Sequence, residues 1–164
     1  MKHKSSTLLL PILILLFITV GQANTQTACN GLYQCSLVEY AEAKAERDGP
    51  GHSIAVMESI VLKDVRDTES FPSVVNSSAV EFLTTKSIKQ RCRKTAKPFG
   101  IVEILPMRER NGVLIVRCAE FSAETHHGKV ILGVHGGYEV FWKFDCASNK
   151  YIKTSAQWYP GSFM

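Results

Sequence analysis

The stretch GVHGGYEVFWKFDC, Gly133 to Cys146, decides how this chain folds. Its three glycines in five positions suit either a phosphate-cradling loop or a reversal of the chain. A phosphate loop needs a helix directly behind its glycines, so that backbone amides and the helix dipole converge on the anion. Here Tyr138, Val140, Trp142 and Phe144 alternate with Glu139, Phe141, Lys143 and Asp145, which is the two-residue period of a strand. The glycines therefore read as a hairpin turn at Gly136-Gly137, between a strand Lys129–His135 and a strand Tyr138–Cys146.

Working outward, Phe99–Met107 and Val113–Phe121 are β-rich runs on either side of Asn111-Gly112. Asn-Gly between alternating apolar runs is a strong hairpin signal, because both turn residues need φ > 0. Lys150–Trp158 alternates again after the turn Ala147-Ser148-Asn149. The expectation is a five-stranded antiparallel meander.

Ahead of it, Ser78-Ala79-Val80-Glu81 has the form of a capping box, and Val80, Leu83, Ile88 and Cys92 recur at helical spacing. That predicts a helix from about Ala79 to Lys94, whose basic last turn suits the negative end of the helix dipole. His52–Val65 alternates as a strand, Arg66–Ser77 reads as a loop, and Leu37–Arg47 reads as an exposed helix stopped by Asp48-Gly49-Pro50-Gly51. The order of elements argues an α+β fold with the amphipathic helix laid on one face of the sheet. A helix of that length, roughly 24 Å, covers only part of such a face. The His52 strand, the N-terminal helix, a curl of the sheet or a partner must cover the rest.

The N-terminus reads as a Sec-type signal peptide over residues 1–23. A basic head, MKHK, precedes the apolar run Leu8–Val20, and Gly21-Gln22-Ala23 supplies small residues for cleavage after Ala23. The run is shorter than the roughly 20 residues a bilayer crossing needs, so the mature chain is not expected to span a membrane. Residues 24–51 read as a polar leader with a short helix, and 52–164 as a single α+β domain. The expected location is secreted or periplasmic.

The full chain has 19 Lys and Arg against 15 Asp and Glu. With Lys2 and Lys4 removed in the leader, the surplus is only about +2, too little to argue for nucleic acid. Five cysteines follow the cleavage point, and in an oxidising compartment Cys29 and Cys35 are spaced to close a local bridge. Cys92, Cys118 and Cys146 sit among apolar residues and read as small buried hydrophobes.

Two functional readings of different kinds follow. The first is a non-enzymatic module that binds a protein, a peptide or a small apolar ligand, or forms a homodimer, through an aromatic sheet face carrying Tyr138, Trp142 and Trp158. It needs no cofactor. The second gathers Glu120, Glu124, His126, His127 and Asp145 at one end of the meander as an acid/base or Zn²⁺ site. Adjacent histidines diverge, however, unlike an i, i+4 pair on a helix. In the same register Glu103 and Glu120 become cross-strand partners, and Cys146 joins the histidine end as a conceivable nucleophile. An anion site on Arg91, Arg93, Lys94, Arg108 and Arg110 ranks last. Asn76-Ser77-Ser78 has the form of a glycan sequon.

Overall fold

The glycine pair does not turn the chain. In the computed structural model, which describes residues 30–59, 62–63, 71–95 and 97–161, the strand Lys129–Asp145 runs through Gly136 and Gly137 without a break. The expected cleavage point at Ala23 and the cysteine Cys29 lie outside the described residues.

The elements are α1 (Leu32–Asp48), β1 (Ile54–Met57), β2 (Val74–Val75), β3 (Ser78–Leu83), α2 (Thr85–Lys94), β4 (Phe99–Ile104), β5 (Arg108–Arg110), β6 (Val113–His126), β7 (Lys129–Asp145) and β8 (Lys150–Pro160). The fold is α+β, with two helices among the described residues and one sheet of eight strands ordered β2-β3-β1-β4-β6-β7-β8, with β5 paired to β6. The sheet is mixed. Strand β1 runs parallel to both β3 and β4, while the remaining pairs are antiparallel. The antiparallel part is therefore smaller than the expected five-strand meander, because the two strands expected around Gly136-Gly137 are one.

What replaces the expected turn is a β-bulge. Glu120 pairs with Gly136 while Phe121 pairs with Val134, so His135 is the extra residue of β7. Gly136 has φ +115°, and a Cβ there would collide with the backbone of Tyr159 and Gly161. At Gly137 a Cβ would overlap the Cys118 carbonyl and the Tyr159 ring. Both glycines thus serve close approach inside a continuous strand, the other common use of strand glycine. The reversal falls at His127-Gly128, with φ 48° and 76°, and the Asn111-Gly112 turn forms as expected, with φ 55° and 73°.

The second correction concerns Ser78. Ser78-Ala79-Val80-Glu81 lies in β3, paired to β1, and the helix begins six residues later than expected. Thr84 is its N-cap, accepting a hydrogen bond at 3.1 Å from the Ser87 amide. Ser78 and Val80 are buried and Ala79 and Glu81 exposed, the alternation of a strand, and Leu83 is buried on the opposite face.

The two helices lie on opposite faces of the sheet. Leu37, Val38, Tyr40 and Ala41 of α1 pack with Val56, Val102, Ile104, Val116, Cys118, Tyr138, Val140 and Trp142. Ile88 and Cys92 of α2 pack with Ala55, Leu83, Ile101 and Ala123. The N-terminal helix, read from sequence as exposed, is thus the cover of the aromatic face. Its Ser36 is fully buried, donating to the Leu32 carbonyl at 2.7 Å and accepting from the Trp142 indole at 2.9 Å.

Candidate functional site

A cleft lies between the C-terminal half of α1 and the strands beside it. A cavity of about 330 Å³ opens there. Tyr40, Lys44 and Asp48 of α1 form one wall, and His52 to Ala55 enter along another. Gly100 to Val102 of β4, Glu120 and Phe121 of β6, and His135 of β7 complete it. The bulge carries His135 into this lining, and the sheet brings Glu120 to the same place although 15 residues separate the two in sequence. Gly100 is paired to Ser122, and a Cβ built on it meets nothing within 4 Å, so the strand leaves open space there.

The cleft is held by one polar network. Glu120 Oε1 accepts from Tyr40 Oη at 2.9 Å, Lys44 Nζ at 3.1 Å and Arg47 Nη2 at 3.0 Å, and its Oε2 accepts from Arg47. Asp48 accepts from Lys44 at 2.8 Å and from Arg47 Nε at 2.8 Å. Burial pulls the Glu120 carboxyl upward, but bonds from Arg47, Tyr40 and Lys44 outweigh it and hold the group below its ordinary value. The Arg47 and Lys44 bonds likewise hold Asp48 well below the usual carboxylate range. Burial, reinforced by Glu120, raises the Tyr40 hydroxyl and keeps it a donor. His52 Nε2 lies 3.0 Å from the Asp48 carbonyl, which requires the proton on Nε2.

An aromatic cluster backs this wall. Tyr40 stands 5.9 Å from Trp158 and 6.5 Å from Tyr138, and the Tyr138 and Trp158 rings are 4.9 Å apart. The Arg47 guanidinium lies 3.8 Å over the Trp158 ring, a cation–π contact that ties the network to the cluster.

The residues proposed from sequence as an aromatic binding face are therefore brought together, but beneath α1. Tyr138 is 9 % exposed and Trp142 is 6 % exposed, while Trp158 is half-buried. The acidic and histidine set divides. His126 and His127 occupy the tip between β6 and β7, with their rings 4.2 Å apart, and Glu124 is exposed close by. Glu120 lies six residues back along β6, about 20 Å at strand rise. Asp145 and Cys146 are at the far end of the 17-residue β7, so neither joins the histidines. Asp145 instead caps its own turn, accepting from Ser148. Among the described residues no group of three or more His, Cys, Asp or Glu is placed to hold a metal ion.

The expected Glu103–Glu120 pairing does not occur. Glu103 is opposite Ala119, and Glu120 is opposite Val102. The basic residues proposed as an anion site are split between α2 and β5, and Arg91 is engaged with Glu81 at 2.8 Å. The Asn76 sequon is at the β2–β3 turn, where Asn76 is exposed with φ 49°. Cys92 and Cys118 are buried free thiols and Cys146 is an exposed one; Cys35 is not among them.

Sequence reasoning missed Lys44, His52, Gly100 and His135 as site residues. Their meeting depends on a parallel β1–β4 pair and on a bulge, neither of which has a local signature here. Comparison with known protein families, with curated proteins and with solved structures finds no match. No helix among the described residues is long and apolar enough to cross a membrane.

Proposed function

We propose that this protein is a non-enzymatic binding domain, acting in a secreted or periplasmic setting, whose cleft beside the C-terminal half of α1 takes a small molecule. The cavity carries the reading. Its volume of about 330 Å³ falls at the lower end of the ~300–1,000 Å³ range of small-molecule sites, and it joins apolar walls to a few convergent polar groups, as such sites do. The aromatic residues first suggested by the sequence support it from behind, with Tyr40 linking cleft to cluster.

An acid/base role has less support. Glu120 and Asp48 are saturated by Lys44, Arg47 and Tyr40 and held below their ordinary values, so neither is poised to carry a proton near neutrality. His126 and His127 stand apart from any carboxylate of the cleft.

The test uses Gly100. Its φ is outside the left-handed region and the space above it is open, so Gly100→Val fits the strand and fills the cavity. A fragment set screened by ligand-observed NMR is expected to yield hits on the wild-type protein that vanish in Gly100→Val, while Tm stays the same or rises. Hits that persist undiminished in the variant, or no hits at all, would refute the reading.

A further inference from the structure

We propose that the occupant of this cleft is a small ionised carboxylic acid with a short apolar tail; the inference rests on reading the cleft as a binding site. The acceptors and donors left over in its wall point there. Every acceptor of the local acids is consumed: Glu120 receives Tyr40, Lys44 and Arg47, and Asp48 receives Lys44 and Arg47. Two acceptors at the end of α1 are engaged as well, since Gly49 donates to the Ala45 carbonyl and His52 donates to the Asp48 carbonyl.

Donors remain. An ammonium has three hydrogens, and Lys44 uses two of them, on Asp48 and Glu120. His135 and Ser53 line the cavity, and neither side chain makes a hydrogen bond or ion pair among the described residues. A wall whose carboxylates are already engaged and whose ammonium keeps a spare hydrogen, with Ser53 and His135 able to donate beside it, matches an anionic acceptor head, and a carboxylate is the small organic group that fits. A cationic head would meet the Lys44 ammonium and find the Glu120 and Asp48 carboxylates already engaged.

Charge agrees with this. Lys44 and Arg47 balance Asp48 and Glu120 as formal charges, so an added monoanion meets no net repulsion there. Arg47, in the last turn of α1, also offsets the negative end of the helix dipole. The tail has its own surface. Ile54 and Val102, whose side chains face the α1 side of the sheet, line the cavity, and Gly100 leaves the space above the strand empty. At ~30 Å³ for each water-sized group, the cavity accepts roughly ten non-hydrogen atoms, the size of a six- to eight-carbon acid.

The experiment is an NMR titration of the protein with hexanoate, 1-hexanol and hexylammonium, three probes of one length and different heads. Hexanoate is expected to move the amide resonances of Gly100, Phe121 and His135 and to bind at least about tenfold more tightly than hexanol, the worth of a charge-assisted hydrogen bond. Hexylammonium should leave those resonances unmoved. Lys44→Met should weaken hexanoate by about tenfold without weakening hexanol, and Lys44→Arg should restore part of the loss. Because Lys44 also holds Glu120, His135→Ala provides a second variant at an exposed residue without bonds, and it too should weaken hexanoate. Hexanol or hexylammonium binding as well as hexanoate would overturn the ligand class and leave the cleft reading standing, as would a fragment of another class binding there while hexanoate does not. If none of the probes binds and the fragment screen is also empty, both fall.

Discussion

Ser36 is a polar residue in the middle of a packed helix–sheet interface, and its side chain is what allows Trp142 to be there. An indole N–H buried without an acceptor is costly, whereas one bonded to a hydroxyl is nearly neutral. Ser36 Oγ supplies that acceptor at 2.9 Å and passes its own proton to the Leu32 carbonyl. Ser36→Ala is therefore expected to cost ~1–3 kcal/mol of stability in urea unfolding, the penalty of an orphaned buried donor. Adding Trp142→Phe to that variant should cost less than Trp142→Phe does in the wild type, since the orphan is gone. An additive double-mutant cycle would show that the bond contributes nothing. The sequence displayed Trp142 at a strand position, but nothing near it announced Ser36, which lies 106 residues away.

At the scale of elements, the helix α2 and the strand β7 show how local signals compete. Ser78-x-x-Glu81 and Thr84-x-x-Ser87 both resemble helix starts, and the second is used. Val80 and Leu83, three residues apart, suit one face of a helix, but parallel pairing of β3 with β1, Ile54 opposite Val80, makes the segment a strand and sends the two to opposite faces of the sheet. Thr84→Ala is expected to lower stability by ~1 kcal/mol, the usual worth of an N-cap, measured as a shift in urea midpoint at unchanged m-value. The sequence fragment Gly136-Gly137 had the same ambiguity. Glycine pairs permit a tight turn and also permit close backbone approach, and only the neighbouring Tyr159 and Cys118 carbonyls require the second. The helical identity of α1 was legible from Leu37–Arg47, but its role was not. The same segment intersperses Glu39, Glu42, Lys44 and Glu46, which masks the buried set Leu37, Val38, Tyr40 and Ala41.

For the whole molecule, the distribution of charge sets the response to acid. Glu120 and Asp48 are held below their ordinary values in the folded protein, so the folded state binds their protons more weakly than the unfolded chain does. The stability they contribute is complete above the unfolded carboxylate pKa, about 4, and is lost as pH falls through that value toward the folded ones. Glu103 acts in the opposite sense: burial raises its carboxyl, so the stability it takes away grows as pH rises through its titration. Tm measured from pH 7 to pH 2.5 is expected to fall below about pH 4, and Glu120→Gln should flatten that fall. An equal slope in the variant would mean that Glu120 does not couple the helix to the sheet.

The sequence by itself determined that the chain is α+β, that its C-terminal half is strand, that Asn111-Gly112 reverses direction, and that Tyr138, Val140 and Trp142 share one face. These follow from two-residue periodicity and turn chemistry, which act over a few neighbouring residues. Only the tertiary structure decided that β1 lies between β3 and β4, that β7 continues through its glycines with His135 as a bulge, and that α1 seals the aromatic face. It also decided that Lys44, His52, Glu120 and His135 meet at one cleft. The reason is physical: parallel pairing and helix docking are chosen by the burial of surfaces far apart along the chain, and no local pattern of residues encodes which distant surface will be the partner.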